Sequence, residues 1–91
     1  MKIAITVPIS YEVQEATVEK WYKKIGDSIV AGDSLLDCAT EKVVIEIPAP
    51  ADGVLLEIIA KDGESVFRPE HAPTTGNWDA TVGYMETGNT P

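Results

Sequence analysis

The residues best placed to do chemistry lie in the stretch Leu35-Leu36-Asp37-Cys38-Ala39-Thr40-Glu41-Lys42-Val43-Val44-Ile45-Glu46-Ile47-Pro48. Two runs rich in Val, Ile and Leu flank Thr40-Glu41-Lys42-Val43 and read as half-buried strands. A short polar break between two strands is a chain reversal. With no Asn-Gly or Asp-Gly at the break, a type I turn is expected rather than a primed one. Glu41 and Lys42 then take the central turn positions, and Lys42 presents an exposed primary amine. Schiff-base or general-base catalysis needs a lysine activated by burial or by a cationic neighbour. A hairpin tip offers neither, and the neighbour here is the acidic Glu41. On these residues alone Lys42 is either a solvated surface lysine or an acceptor to which a separate ligase joins a group. We expect Lys42 to be covalently modified and no residue of the chain to be catalytic.

Few other residues compete. Cys38 and His71 are the only cysteine and the only histidine, so the usual soft ligands cannot assemble a metal site. Strand alternation makes Cys38 a small core residue rather than a nucleophile. A lone cysteine also excludes an internal disulfide and carries no sign of an oxidising compartment. Fifteen acidic against seven basic residues give a net charge of -8, which repels nucleic acid and anionic membrane and suits basic partner surfaces. The apolar run that opens the chain is too short for a signal sequence and ends at Pro8, and no run reaches transmembrane length. The expected location is the cytoplasm, or the mitochondrial matrix of a eukaryote.

At 91 residues the chain has room for one domain with one modest core. Eight short strands are expected, over residues 2–8, 16–22, 28–30, 34–40, 43–47, 54–60, 65–67 and 81–86. Turns fall at Lys24-Ile25-Gly26-Asp27, Ala31-Gly32-Asp33, Pro48 to Gly53 and Lys61-Asp62-Gly63-Glu64. No 3.6-residue stripe is long enough for a helix.

The strands repeat. Ile25-Gly26-Asp27-Ser28-Ile29-Val30 returns 37 residues later as Asp62-Gly63-Glu64-Ser65-Val66-Phe67, and Ile3 to Pro8 returns 40 residues later as Val43 to Pro48. The fold expected is all-β: a flattened barrel or sandwich of two four-stranded antiparallel sheets with an internal pseudo-two-fold axis. The Glu41-Lys42 turn joins the two halves, and its symmetry equivalent is the pair of chain ends, which should lie at the opposite end.

One interval breaks the repeat. Leu35 to Cys38 match Val82 to Met85 at an offset of 47, so about ten residues are inserted within 68–80. Prolines, a glycine and no periodicity mark this as a loop. It is either a solvated insertion or a partner-contact loop in which Trp78 and His71 matter; Trp78 could equally cover exposed core. The domain is expected to span 1–87 with this inserted loop, and residues 88–91 to begin a linker.

From about Ile3 to Phe67, and again at Val82-Gly83-Tyr84-Met85, the sequence resembles the lipoyl domains of 2-oxo acid dehydrogenase acyltransferases, within the biotinyl/lipoyl attachment family. The resemblance is carried by Val7-Pro8, Glu15-Ala16-Thr17-Val18, Trp21, Lys24 to Asp27, Thr40 to Pro48, Asp52-Gly53-Val54 and Gly63-Glu64-Ser65-Val66. In that family the lysine of an Asp-Lys turn is joined by an amide to lipoic acid. Family glycines lie sixteen residues before and eleven after it, and Gly26 and Gly53 hold those spacings from Lys42.

The resemblance implies lipoic acid on Lys42, with Glu41, Val43, Gly26, Gly53 and Glu15 as recognition residues. It implies a swinging-arm carrier that is not itself an enzyme. Its partners would be a lipoate-protein ligase or lipoyl transferase, a thiamine-diphosphate decarboxylase, an acyltransferase core and dihydrolipoamide dehydrogenase. Glu15 to Val18 with Lys42 to Pro48 look most like the acyltransferase of the 2-oxoglutarate complex. Glu12, Glu15, Glu41 and Glu46 are candidates for meeting a basic decarboxylase surface, or are simply solubilising charges.

There are departures. Glu41 stands for the usual Asp, Ala39 for an acidic residue and Cys38 for an aliphatic one. The first loop is about one residue short and lacks its glycine, which bears on which dehydrogenase reads it. Two rival readings are a biotin carrier, whose family flanks the lysine with methionines that Glu41 and Val43 replace here, and an unmodified adaptor sandwich.

Overall fold

The computed structural model describes residues 1–87; the expected linker start at 88–91 lies outside them. Among the described residues the elements are eight strands: β1 (Lys2–Ser10), β2 (Glu15–Trp21), β3 (Ser28–Ile29), β4 (Ser34–Ala39), β5 (Val44–Pro48), β6 (Gly53–Ile58), β7 (Ser65–Phe67) and β8 (Asn77–Glu86). They form two four-stranded sheets of order β1-β8-β6-β3 and β5-β4-β2-β7, with every pairing antiparallel. This is the all-β sandwich expected.

Alternation drives each strand. In β1, Ile5, Val7 and Ile9 point inward between exposed Ala4, Thr6, Pro8 and Ser10, the period-two pattern of a half-buried strand. The buried faces of both sheets meet in one core that includes Val18, Leu36, Cys38, Leu55, Val82 and Met85.

The pseudo-two-fold is present to the level of single residues. Exchanging β1–β4 with β5–β8 converts one sheet order into the other. Four of the six ladders are each interrupted by one unpaired residue: Glu19 in β2, Leu56 in β6, Leu35 in β4 and Val82 in β8. Glu19 and Leu56 are 37 apart, and Leu35 and Val82 are 47 apart, the same offsets as the sequence repeat. Bulges add twist and bend the strand, so both halves curl in the same way around the shared core. Gly26 and Gly63 match too: both have positive φ (94° and 86°), and each amide donates to a carbonyl of the opposite half, Leu55 O and Val18 O.

The two sheets place the hairpin tip apart from Met1 and Thr87. Lys2 pairs with Glu86, and the Thr87 amide donates to Met1 O at one end of the β1·β8 ladder. Its other end, Ser10 opposite Asn77, runs into the 11–14 loop and then β2, whose Thr17 lies opposite Ala39 just below the tip.

The main difference from expectation is at the insertion. The loop ends at Gly76, and β8 begins at Asn77 rather than Thr81. Asn77 to Ala80 pair with Val7 to Ser10, so β1 also runs past Pro8. β1 is an edge strand, where the missing proline amide costs no ladder bond. Trp78 is buried, and its Nε1 donates to Val13 O at 2.9 Å. It therefore covers core and is not a partner-contact residue, whereas His71 is exposed.

Candidate functional site

The tip is built by Thr40. Its amide donates to Val43 O at 2.8 Å, closing the hairpin with Glu41 and Lys42 between them. Its Oγ1 accepts the Lys42 and Val43 amides, both at 3.2 Å, and donates to Val43 O at 3.3 Å. One hydroxyl thus serves the donors that a bare two-residue loop would leave to water. Among the described residues no non-glycine residue has positive φ, so the turn is not of a primed type. Glu41, Lys42, Val43 and Val44 are all exposed. Lys42 is in none of the ion pairs among the described residues. Its amine therefore stands clear on a fixed backbone, with two exposed valines on one side and a carboxylate on the other.

Thr40→Val removes the hydroxyl at nearly constant volume. The two amides are solvent-accessible, so the loss is that of ordinary hydrogen bonds, about 1 kcal/mol, or about 4–8 °C in Tm for a domain of this size. If Lys42 is the acceptor expected from the sequence, the rate of its modification by a lipoate ligase falls with it. Unchanged Tm and an unchanged rate would remove Thr40 from the site.

Beside the tip runs an open groove of about 490 Å³ whose lining includes Val13, Glu15, Thr17, Glu19, Thr40 and Glu41. It brings together two of the residues singled out in the sequence, Glu15 and Glu41, and adds Glu19, which strand alternation places on the same outward face as Glu15 and Thr17. Three carboxylates and no cationic side chain line it, so this end attracts basic groups.

Gly26 and Gly53 lie elsewhere. Gly26 caps Leu55, and Gly53 pairs with Ile29 and abuts Glu86, at the end where Met1 and Thr87 lie. They shape the scaffold, away from the Lys42 tip. Cys38 is fully buried on β4, and burial, with the Glu19 charge adding to it, pushes its thiol up from the ordinary value of 9.0; it is no nucleophile. Among the described residues no group of three His, Cys, Asp or Glu side chains could hold a metal ion.

The sequence reading missed the structural role of Thr40, although a Thr directly before two exposed turn residues is a recognisable hydroxyl-turn signal. It also passed over Glu19, although period-two alternation sets it on the same face as Glu15.

Residues 3–68 match the family model described as "Biotin-requiring enzyme", which covers biotin and lipoyl attachment domains. The dihydrolipoyllysine-residue succinyltransferase component of the 2-oxoglutarate dehydrogenase complex from Bartonella vinsonii subsp. berkhoffii is 45% identical over 67 residues, 72% of this chain and 16% of that protein. Its counterpart from Buchnera aphidicola (subsp. Schizaphis graminum) is 46% identical over 66 residues, 71% of this chain and 17% of that protein. The chain thus spans about a sixth of the length of the curated relatives it matches. Among solved structures, the lipoyl domain of the 2-oxoglutarate dehydrogenase complex from Azotobacter vinelandii superposes with a TM-score of 0.67 at 29% identity, covering 94% of this chain and all of that domain.

Proposed function

The chain belongs to the biotin/lipoyl attachment family, and from that membership we propose that it is a lipoyl carrier domain whose attachment point is Lys42. The observation that carries this reading is the tip itself: an exposed lysine amine on a hairpin held by the Thr40 hydroxyl, at the joint between two symmetric halves. The residues fit an amide-linked lipoyl group, since nothing covers the amine and no charge partner has to be displaced. Attached there, lipoic acid supplies a dithiolane that accepts and hands on acyl groups. Every catalytic centre lies in other domains or chains, and this domain holds the attachment point and displays a surface.

The partners follow from that role. A lipoate-protein ligase or lipoyl transferase modifies Lys42. A thiamine-diphosphate decarboxylase, an acyltransferase core and dihydrolipoamide dehydrogenase are then visited in turn. The likeness to succinyltransferase components and to a 2-oxoglutarate dehydrogenase lipoyl domain supports 2-oxoglutarate as the acid served. Glu15, Glu19 and Glu41 in the groove, with exposed Glu12 and Glu46, form the acidic face we assign to a basic decarboxylase surface. Tethering the carrier to a transferase raises its local concentration without new contacts.

The test is intact-mass measurement after co-expression with lipoate and biotin ligases. A lipoyl-sized adduct on essentially all molecules, absent in Lys42→Ala, is expected. A biotin-sized adduct or none overturns the reading.

A further inference from the structure

Three bonds tie the insertion to the first loop. The Tyr11 amide donates to Gly76 O at 3.0 Å, the Arg68 amide to Gln14 O at 2.9 Å, and Trp78 Nε1 to Val13 O at 2.9 Å. The insertion is itself held shut: Arg68 Nη2 donates to Ala72 O and Pro73 O at 3.5 and 3.1 Å, and the Ala72 amide to Pro69 O at 3.1 Å. Within the loop there is one further backbone bond, from the Val13 amide to Ser10 O. The loop anchors inward only through Val13, while Tyr11, Glu12 and Gln14 stay exposed. Val13, Gln14 and Glu15 line the groove that Thr40 and Glu41 close on the other side.

We propose that the insertion is a brace: Trp78, with the clasp made by Arg68, is a positioning residue that holds the 11–14 loop as a preformed wall beside Lys42, so that a decarboxylase meets one surface made of loop and tip. This rests on the carrier reading above and adds to it how that surface is kept in shape. The physical argument is one of populations. A short loop on a domain surface samples several conformations, and binding to one of them weakens in proportion to the fraction of time it is absent. Two clasped carbonyls and three cross-bonds remove that penalty in advance. A ligase that reads the hairpin tip alone does not depend on the loop. Trp78 therefore separates two steps that share Lys42.

Trp78→Phe keeps an aromatic ring in the core and deletes the bond to Val13 O together with part of the indole's packing. Arg68→Ala opens the clasp and serves as the second variant, since the half-buried Arg68 side chain is not a member of the hydrophobic core. Each variant is lipoylated, and three quantities are followed: adduct formation by lipoate ligase, amide hydrogen exchange over residues 11–14, and reductive succinylation by the Azotobacter vinelandii 2-oxoglutarate decarboxylase component with 2-oxoglutarate. Expected are ligation within twofold of the parent, faster exchange at Tyr11 to Gln14, and a rise of about fivefold in KM for the domain with kcat little changed, the loss of one buried hydrogen bond. Faster exchange with unchanged KM, or no change in either, overturns the brace while leaving the carrier reading standing. A lipoylated parent that is not acylated at all overturns the carrier reading, and the brace with it.

Discussion

Gly53→Ala is expected to destabilise the domain by about 3 kcal/mol or more, the largest effect of any single added methyl group. A Cβ built at Gly53 lies 2.0 Å from the Glu86 carbonyl oxygen, 2.9 Å from its carbon and 3.1 Å from the Met85 methyl. The Met85 side chain can turn away, but the Glu86 carbonyl cannot. Glu86 sits in the middle of its sheet, paired with Lys2 on one side and Val54 on the other, so moving it by an ångström disturbs two ladders at once.

Gly26→Ala is the control. That glycine has φ of 94° with open space around its Cα, so alanine there costs about 1–2 kcal/mol of backbone strain. The two glycines share equal standing in a sequence motif, yet one is needed for close approach and the other for handedness. Guanidinium unfolding should rank Gly53→Ala well below Gly26→Ala, with a Tm difference of about 4–8 °C per kcal/mol. Equal losses would show that the close approach relaxes freely. Neither substitution touches the tip, so the fraction that remains folded should be modified at the parent rate.

That contrast shows what could be read from residues and what could not. The sheets were legible because Ile5, Val7 and Ile9 alternate cleanly and because the repeat doubled every signal: Gly26 is echoed by Gly63, and Leu35 by Val82. Ser65–Phe67, only three residues long, has the bounds expected from the sequence, and it echoes Ser28-Ile29-Val30. Where the symmetry fails, legibility fails with it. Asn77 to Ala80 have no counterpart in the first half, and their alternation is short and follows a proline- and glycine-marked loop. Pro8 was read as a stop, since a proline cannot serve a central strand, and only the sheet order reveals that β1 is an edge. Trp78 thus stood as a loop residue although it belongs to the core. The same limit explains the site. Lys42 and Glu41 declare themselves by chemistry and position, whereas the groove beside them depends on which loop crosses to which strand. The Val13 carbonyl, the Glu19 bulge and the Arg68 clasp are all facts of long-range pairing.

Exchanging the two central turn residues, Glu41→Lys together with Lys42→Glu, is expected to reduce modification by lipoate ligase by about 100-fold or more while leaving the fold intact. The double variant keeps composition, net charge and turn length, and neither side chain is buried. It keeps Thr40, whose hydroxyl accepts the amides of residues 42 and 43 whatever their side chains. What changes is where the amine stands. Consecutive Cα atoms are about 3.8 Å apart, and successive side chains of a turn leave the backbone in different directions, so the amine is displaced by several ångströms from the place the tip gave it. A misplacement of about 1 Å at a reacting atom can already cost about 100-fold. A ligase that recognises a Glu-Lys pair only by charge would tolerate the exchange, and so would one that melts the hairpin to reach its lysine. A ligase that reads a rigid tip would not. Intact-mass time courses on parent and double variant, with circular dichroism to show that both are folded, decide between these. Comparable rates would mean that the sandwich merely carries Lys42; a collapse of the rate would mean that the two sheets, their matched bulges and the Thr40 turn together specify the position of a single nitrogen atom.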